Sequence, residues 1–198
     1  MTTIYQADLS AGSLLLPESR RIAALLLKSP TAAEWDQAIK LDNILQKATP
    51  STAVRQARLI RLRLAPLGPK LWSLVAEGER EVAAQALFAA ALLHSALLRD
   101  FVRTVLISHH RRLDTQINVH QWEPFLADCA AVDSAVGTWT PTTRAKLLQV
   151  ILRILVEVYY LESSRSLRLR AIHVHPQVKR LLHGLGHDDL IKTMELSA

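Results

Sequence analysis

Apolar side chains recur along most of this chain at the three- and four-residue spacing of helices buried on one face. Ile22, Leu25 and Leu26 form such a stripe behind Pro17 and Glu18, a pair suited to a first helical turn, where proline's missing N–H costs nothing. Thr31 and Glu34 have the spacing of a capping box, predicting a helix through Trp35 and Ile39 to about Leu45. After a short break, Ser51 is expected to cap "STAVRQARLIRLRL", which Pro66, Gly68 and Pro69 end. A short helix near Leu71–Ala76 precedes an alanine-rich one from Glu79. No glycine or proline occurs between residues 79 and 123, so this is one long helix or two joined near His94 and Ser95. The period fades over "RRLDTQINVHQ" and returns from Trp122 to Val136. Thr140 and Pro141 open a helix to about Glu162, with Leu147, Leu148, Ile151, Leu155 and Val158 as its core stripe. "SLRLRAIHV" alternates apolar and basic residues, a strand-like period of two, before Pro176 starts a short helix ending at Gly184 or Gly186.

These elements predict an all-α fold of two packed helical bundles, with at most one short strand or hairpin near residues 165–175. The expected division is an N-terminal bundle over residues 1–112 and a C-terminal helical part over 113–198. Trp35, Ile39, Ile60, Leu87 and Phe88 should be buried in the first, and Leu148, Ile151, Leu155 and Val158 in the second. "VAAQALFAAALLHSALL" (Val82–Leu98) has no charge but is mostly alanine, includes Gln85, His94 and Ser95, and has charged flanks. It reads as a buried central helix rather than a membrane span.

The 198 residues suit one ordinary domain or two small ones, and the apolar content is mainly the helix formers Ala and Leu. Twenty-four Lys and Arg against 18 Asp and Glu favour contact with a polyanion, and the excess divides evenly between the halves. Cys129 is the only cysteine, which excludes an internal disulfide and a Cys-rich zinc site. With no basic, apolar leader at the N-terminus, a cytoplasmic location is expected.

Recognised catalytic chemistry is absent: there is no phosphate-cradling glycine loop, nucleophile elbow or Walker pattern. His173 and His175, with His183 and His187 following, offer metal-ligand chemistry, but no neighbouring Cys or Glu completes a zinc spacing. Neither a metal, a cofactor nor a small-molecule substrate is expected. His109, His110, Arg111 and Arg112 fall where a helix C-terminus attracts positive charge.

The arginine stretch is more informative. On a wheel of about 100° per residue, Ala53, Val54, Ala57, Ile60 and Leu64 share an apolar arc, Arg55, Arg58 and Arg63 occupy the other side, and Arg61 sits at the arc's edge; Leu59 and Leu62 fall among the arginines, so a neighbouring element is expected to cover part of that side. The preceding helix and turn resemble a helix-turn-helix, which would put Ser51, Thr52, Arg55 and Gln56 nearest the bases of a DNA major groove. A second basic strip, Arg165, Arg168, Arg170, Lys179 and Arg180 with His173, His175 and His183, lies in a stretch without acid between Glu162 and Asp188. Guanidinium groups suit phosphate and guanine because they donate two hydrogen bonds in a planar fork.

"YQADLSAGSLLLPESRRIAALLL", "EWDQAIKLDNILQKATPSTAVRQARLIRLRL" and "LRLRAIHVHPQVKRLL" together resemble the BrxA family of bacteriophage exclusion (BREX) systems. The resemblance implies a helical cytoplasmic protein with a NusB-like fold, no established enzymatic activity, DNA binding, and work alongside other BREX components. It supplies no site residues; the DNA contacts named above rest on charge and helical phase. The expectation is therefore a non-enzymatic subunit binding double-stranded DNA mainly through basic residues. The alternatives are an adaptor docking an acidic partner of the defence complex, or a NusB-like RNA-binding protein.

Overall fold

A computed structural model describes residues 4–197 of the chain; Met1–Thr3, the start of the stretch read for a leader, and Ala198 lie outside the described residues. The order is α1 (Leu16–Leu27), α2 (Ala32–Asp36), α3 (Pro50–Leu64), α4 (Gly68–Glu77), α5 (Arg80–His94), α6 (Ala96–Phe101), α7 (Ile107–Arg111), α8 (Trp122–Val132), α9 (Pro141–Glu157), α10 (Pro176–Gly184) and α11 (Asp188–Met194). α2 continues into a π-helical turn, Gln37–Leu41, and a second, Val102–Leu106, joins α6 to α7.

The hub is α5. Every residue from Val82 to Leu92 is buried, because α1, α3 and α4 pack on this helix from the first half of the chain and α10 and α11 from the second. A helix surrounded in this way is apolar all round without needing a bilayer. Ser95 leaves helical geometry after His94, and its hydroxyl accepts the Leu98 N–H at 3.3 Å, so α6 starts in a new direction. Among the described residues no single helix is long and apolar enough to cross a membrane; the pair Arg80–His94 and Ala96–Arg111 is bent by 106°.

Gln85 resolves the apparent polar flaw in α5. Its side-chain amide donates to the His173 carbonyl at 2.8 Å and accepts the His175 N–H at 2.7 Å, tying the extended segment before α10 to the central helix. Edge-on aromatic contacts join other elements, Phe88 with Tyr160 at 5.2 Å and Phe101 with Phe125 at 5.5 Å between ring centres. One continuous core runs through both halves.

Ile39, Ile60, Leu87, Phe88, Ile151, Leu155 and Val158 are buried as expected, whereas Trp35 and Leu148 are half-buried. The capping box is present, with the Thr31 hydroxyl and Glu34 carboxylate bonding each other's backbone N–H groups. Several boundaries and one helix differ from expectation. Thr49 rather than Ser51 caps α3, accepting the Thr52 N–H, because Pro50 occupies the first helical position. α9 stops at Glu157, and Tyr159 follows in the left-handed region. α11 was not expected: its apolar positions span too few residues to show a period.

Residues 167–170 lie between two short extended segments without forming a named strand. Leu169 N–H donates to Thr115 O at 2.9 Å, and Arg170 N–H donates to Tyr160 O at 3.0 Å. The period of two is expressed here, leaving Arg168 and Arg170 exposed and Leu167 and Leu169 half-buried.

Candidate functional site

The arginines of α3 fall into three different environments. Arg63 is only 2% exposed, contrary to its expected place on a DNA-facing surface. Its Nη1 donates to the Ser13 carbonyl at 2.5 Å and its Nη2 to the Gly12 carbonyl at 3.0 Å, while Nε has no partner. Burial pushes the guanidinium down to about 10, opposed by the nearby carboxylates of Asp8 and Glu157, and it stays charged at neutral pH. The wheel misplaced it because α3 is covered on two sides. α5 lies on the expected arc, and the turn Ala7–Ala11 with the loop after it covers the side holding Leu59 and Arg63. Val54, placed in the apolar arc, is correspondingly 40% exposed. Arg61, expected to pack beside the core, is exposed, with its guanidinium stacked 4.6 Å from the centre of the Trp35 ring.

Arg55 and Gln56 line a cleft of about 530 Å³ between the first half of α3, the Ser10–Ser13 loop and α9. Lys146 and Arg153 of α9 line it as well, as does Ser164, the residue before Arg165; no carboxylate is among its lining residues. Ser51 is exposed and Thr52 half-buried at the start of the same helix. Lys146 and Arg153 escaped the sequence reading because each stands alone on a mostly apolar helix; only the fold sets them opposite Arg55.

The cleft has a fixed wall. Glu157 accepts the Ser13 hydroxyl at 2.7 Å and the Leu14 N–H at 2.8 Å, while Arg63 holds the carbonyls of Gly12 and Ser13 from the α3 side. The loop is thus clamped between α3 and α9. Arg153 also reaches Glu157, at 3.4 Å, yet remains 72% exposed.

Arg58 lines a different depression, with Arg61 and Trp35. The connection Asp42–Thr49 before α3 is longer than the three- or four-residue turn of a helix-turn-helix. In the second basic strip, Arg165, Arg168, Arg170 and Arg180 are exposed, whereas Lys179 is half-buried and ion-paired with Glu195. His175 caps α10 by accepting the Gln177 N–H, and His183 pairs with Asp188, which raises its proton affinity. Among the described residues no three His, Cys, Asp or Glu side chains gather where they would hold a metal ion. His109, His110 and Arg111 fall in the last turn of α7 as expected; His109 is buried there, its Nδ1 2.6 Å from the Asp114 carboxylate.

Comparison with known proteins places this geometry in context. The BrxA family model matches residues 3–186. The chain is 39% identical to the BREX protein BrxA of Paramagnetospirillum magneticum, over 98% of this chain and 97% of that protein. It is 34% identical to the BREX protein BrxA of Escherichia coli O9:H4, over 95% and 88% respectively. A crystal structure of an uncharacterized protein from Magnetospirillum magneticum matches with a TM-score of 0.90 and 38% identity, covering 98% of this chain and 100% of the other.

Proposed function

The chain belongs to the BrxA family of BREX proteins, with the role in phage defence this implies, and from that premise we propose that it is a DNA-binding subunit acting by binding rather than catalysis. The observation that carries the reading is the cleft lined by Arg55, Lys146 and Arg153 with no carboxylate in the lining, Arg153 alone of the three being paired, with Glu157 at 3.4 Å. A concave surface with cations on both walls attracts a phosphate backbone, and the exposed Arg165 continues the basic surface past Ser164. The partner is double-stranded DNA, held mainly through phosphates with weak sequence preference, in the cytoplasm and alongside other BREX components.

The test is fluorescence anisotropy with a labelled duplex across a salt series. Replacing Arg55, Lys146 and Arg153 together with Gln should lower affinity and flatten the log–log salt slope by about 2–3, since each phosphate contact contributes roughly 0.9. Unchanged affinity and slope in a folded triple variant, or no duplex binding by the parent at low salt, would overturn the proposal. Tighter binding of single-stranded RNA than of duplex in the same titration would favour the RNA alternative.

A further inference from the structure

A second face of α3, adjoining the one that lines the cleft, has its own character. Val54, Arg58, Arg61, Leu62 and Ala65 follow one another along this face and, with Trp35 and Ile39 on the α2 side, line a groove of about 250 Å³. Val54 is 40% and Leu62 47% exposed, although most of the chain's large apolar side chains are buried. From Val54 to Ala65 the helix runs about three turns, roughly 16 Å at 1.5 Å per residue. The opposite wall includes the π-helical turn Gln37–Leu41, whose Leu41 is 73% exposed.

The charges in this groove are partly spent. Asp36, its only carboxylate, is paired with Lys40 at 2.7 Å, and neither Arg58 nor Arg61 has a carboxylate partner among the described residues. Arg61 has its guanidinium carbon 4.6 Å over the Trp35 ring and donates no side-chain hydrogen bond among the described residues, so its N–H groups remain available to an acceptor. A phosphate backbone would satisfy those N–H groups but would leave Val54 and Leu62 against a polar strand. An amphipathic helix with carboxylates beside its apolar stripe satisfies both, in the helix-in-groove manner.

We propose that the groove between α3 and the α2 segment docks an acidic amphipathic helix of another component of the BREX system, through the exposed apolar side chains of Val54 and Leu62 and the cations Arg58 and Arg61 that lie between them along α3. This separates two functions on adjoining faces of one helix, and it stands whether or not the cleft binds DNA.

The test co-expresses the full chain with each other component of its BREX system in turn and purifies it after nuclease digestion. One component should be retained, and hydrogen exchange should show protection of an acidic amphipathic helix in that component. Val54→Asp with Leu62→Asp, and separately Arg58→Glu with Arg61→Glu, should each reduce retention at least tenfold, while Arg55→Gln with Lys146→Gln leaves it unchanged. Circular dichroism verifies that the variants fold; should the double Asp variant unfold, Val54→Ser with Leu62→Ser replaces it with the same expectation. Retention of no component, or retention insensitive to Val54 and Leu62, overturns the proposal. So does a dimer of the chain lost in the same variants, which would make a second copy the occupant. Duplex affinity falling as far in the Arg58 and Arg61 variant as in the Arg55 and Lys146 variant would make the groove a nucleic-acid surface, whereas loss of duplex binding alone bears only on the cleft.

Discussion

Replacing Arg63 with Gln tests whether this arginine belongs to the fold rather than to a binding surface. The side chain makes two hydrogen bonds, to the carbonyls of Gly12 and Ser13, from a position 2% exposed. Gln is shorter and lacks the planar fork that reaches both carbonyls, so at least one carbonyl loses its donor; an unpartnered buried polar group costs about 1–3 kcal/mol. Losing the cation also removes one opposing charge near Asp8 and Glu157, although Glu157 keeps Arg153 at 3.4 Å and Asp8 keeps His94 at 2.6 Å. Against these costs stands relief from keeping a guanidinium out of water, the effect that lowers its proton affinity. Removing one partner of a buried charged cluster usually costs more than that relief, giving a net loss of roughly 2–4 kcal/mol. For a chain of this size each kcal/mol shifts the melting temperature by roughly 2–4 °C, so a fall of about 5–15 °C is expected in a thermal melt. Arg55→Gln and Arg58→Gln, on exposed positions, should stay within about 0.5 kcal/mol of the parent. An Arg63→Gln variant melting within about 2 °C of the parent would refute the reasoning.

Gln85→Leu makes α5 more hydrophobic yet should destabilise the protein by about 1–3 kcal/mol, because the His173 carbonyl and His175 N–H lose their partners; urea denaturation and faster hydrogen exchange over residues 173–176 would show it. The Asp133 carboxylate accepts the N–H groups of Ile4, Tyr5 and Ala135, which hold its pKa below the ordinary 3.8. Its stabilisation is therefore present above about pH 3.8 and lost as the pH falls through the lower folded value; proteolysis near Tyr5 should rise in that window, but not further in Asp133→Asn, where the charge is already gone. Burial pushes the Cys129 thiol up to about 11, so alkylation by iodoacetamide at pH 8 should be slow in the native protein and fast in urea.

Helices with a clear cap and a stripe facing one neighbour were legible from local pattern. Pro17, the Thr31–Glu34 box and Thr140–Pro141 mark helix starts that the structure contains, and the break at Ser95 falls where polar residues interrupt the alanine run. Leu59 among the arginines signals a second covering neighbour, but local pattern does not show which cation that neighbour buries. A wheel assigns one buried arc to a helix, but α3 is covered by α5 and also by the Ala7–Ala11 turn, so its buried surface is wider and rotated toward Arg63. The same wheel placed Val54 inside and Arg61 beside the core, and both are exposed.

The site was less legible than the fold because an acid-free run of sequence is different from an acid-free surface. Lys179 sits within such a run, yet Glu195 of the final turn folds back to pair with it. Arg63 sits within the other and is consumed by two carbonyls of a loop fifty residues earlier in the chain. Conversely, Lys146 and Arg153 lie on a helix whose pattern announces only core, and they gain meaning from facing Arg55 across the cleft. Charge therefore becomes informative only after the fold has removed the cations that are paired or buried. On α3 that leaves Arg55 facing an open basic cleft and Arg58 with Arg61 facing an apolar groove, two surfaces of different chemistry that the bare spacing of four arginines cannot distinguish.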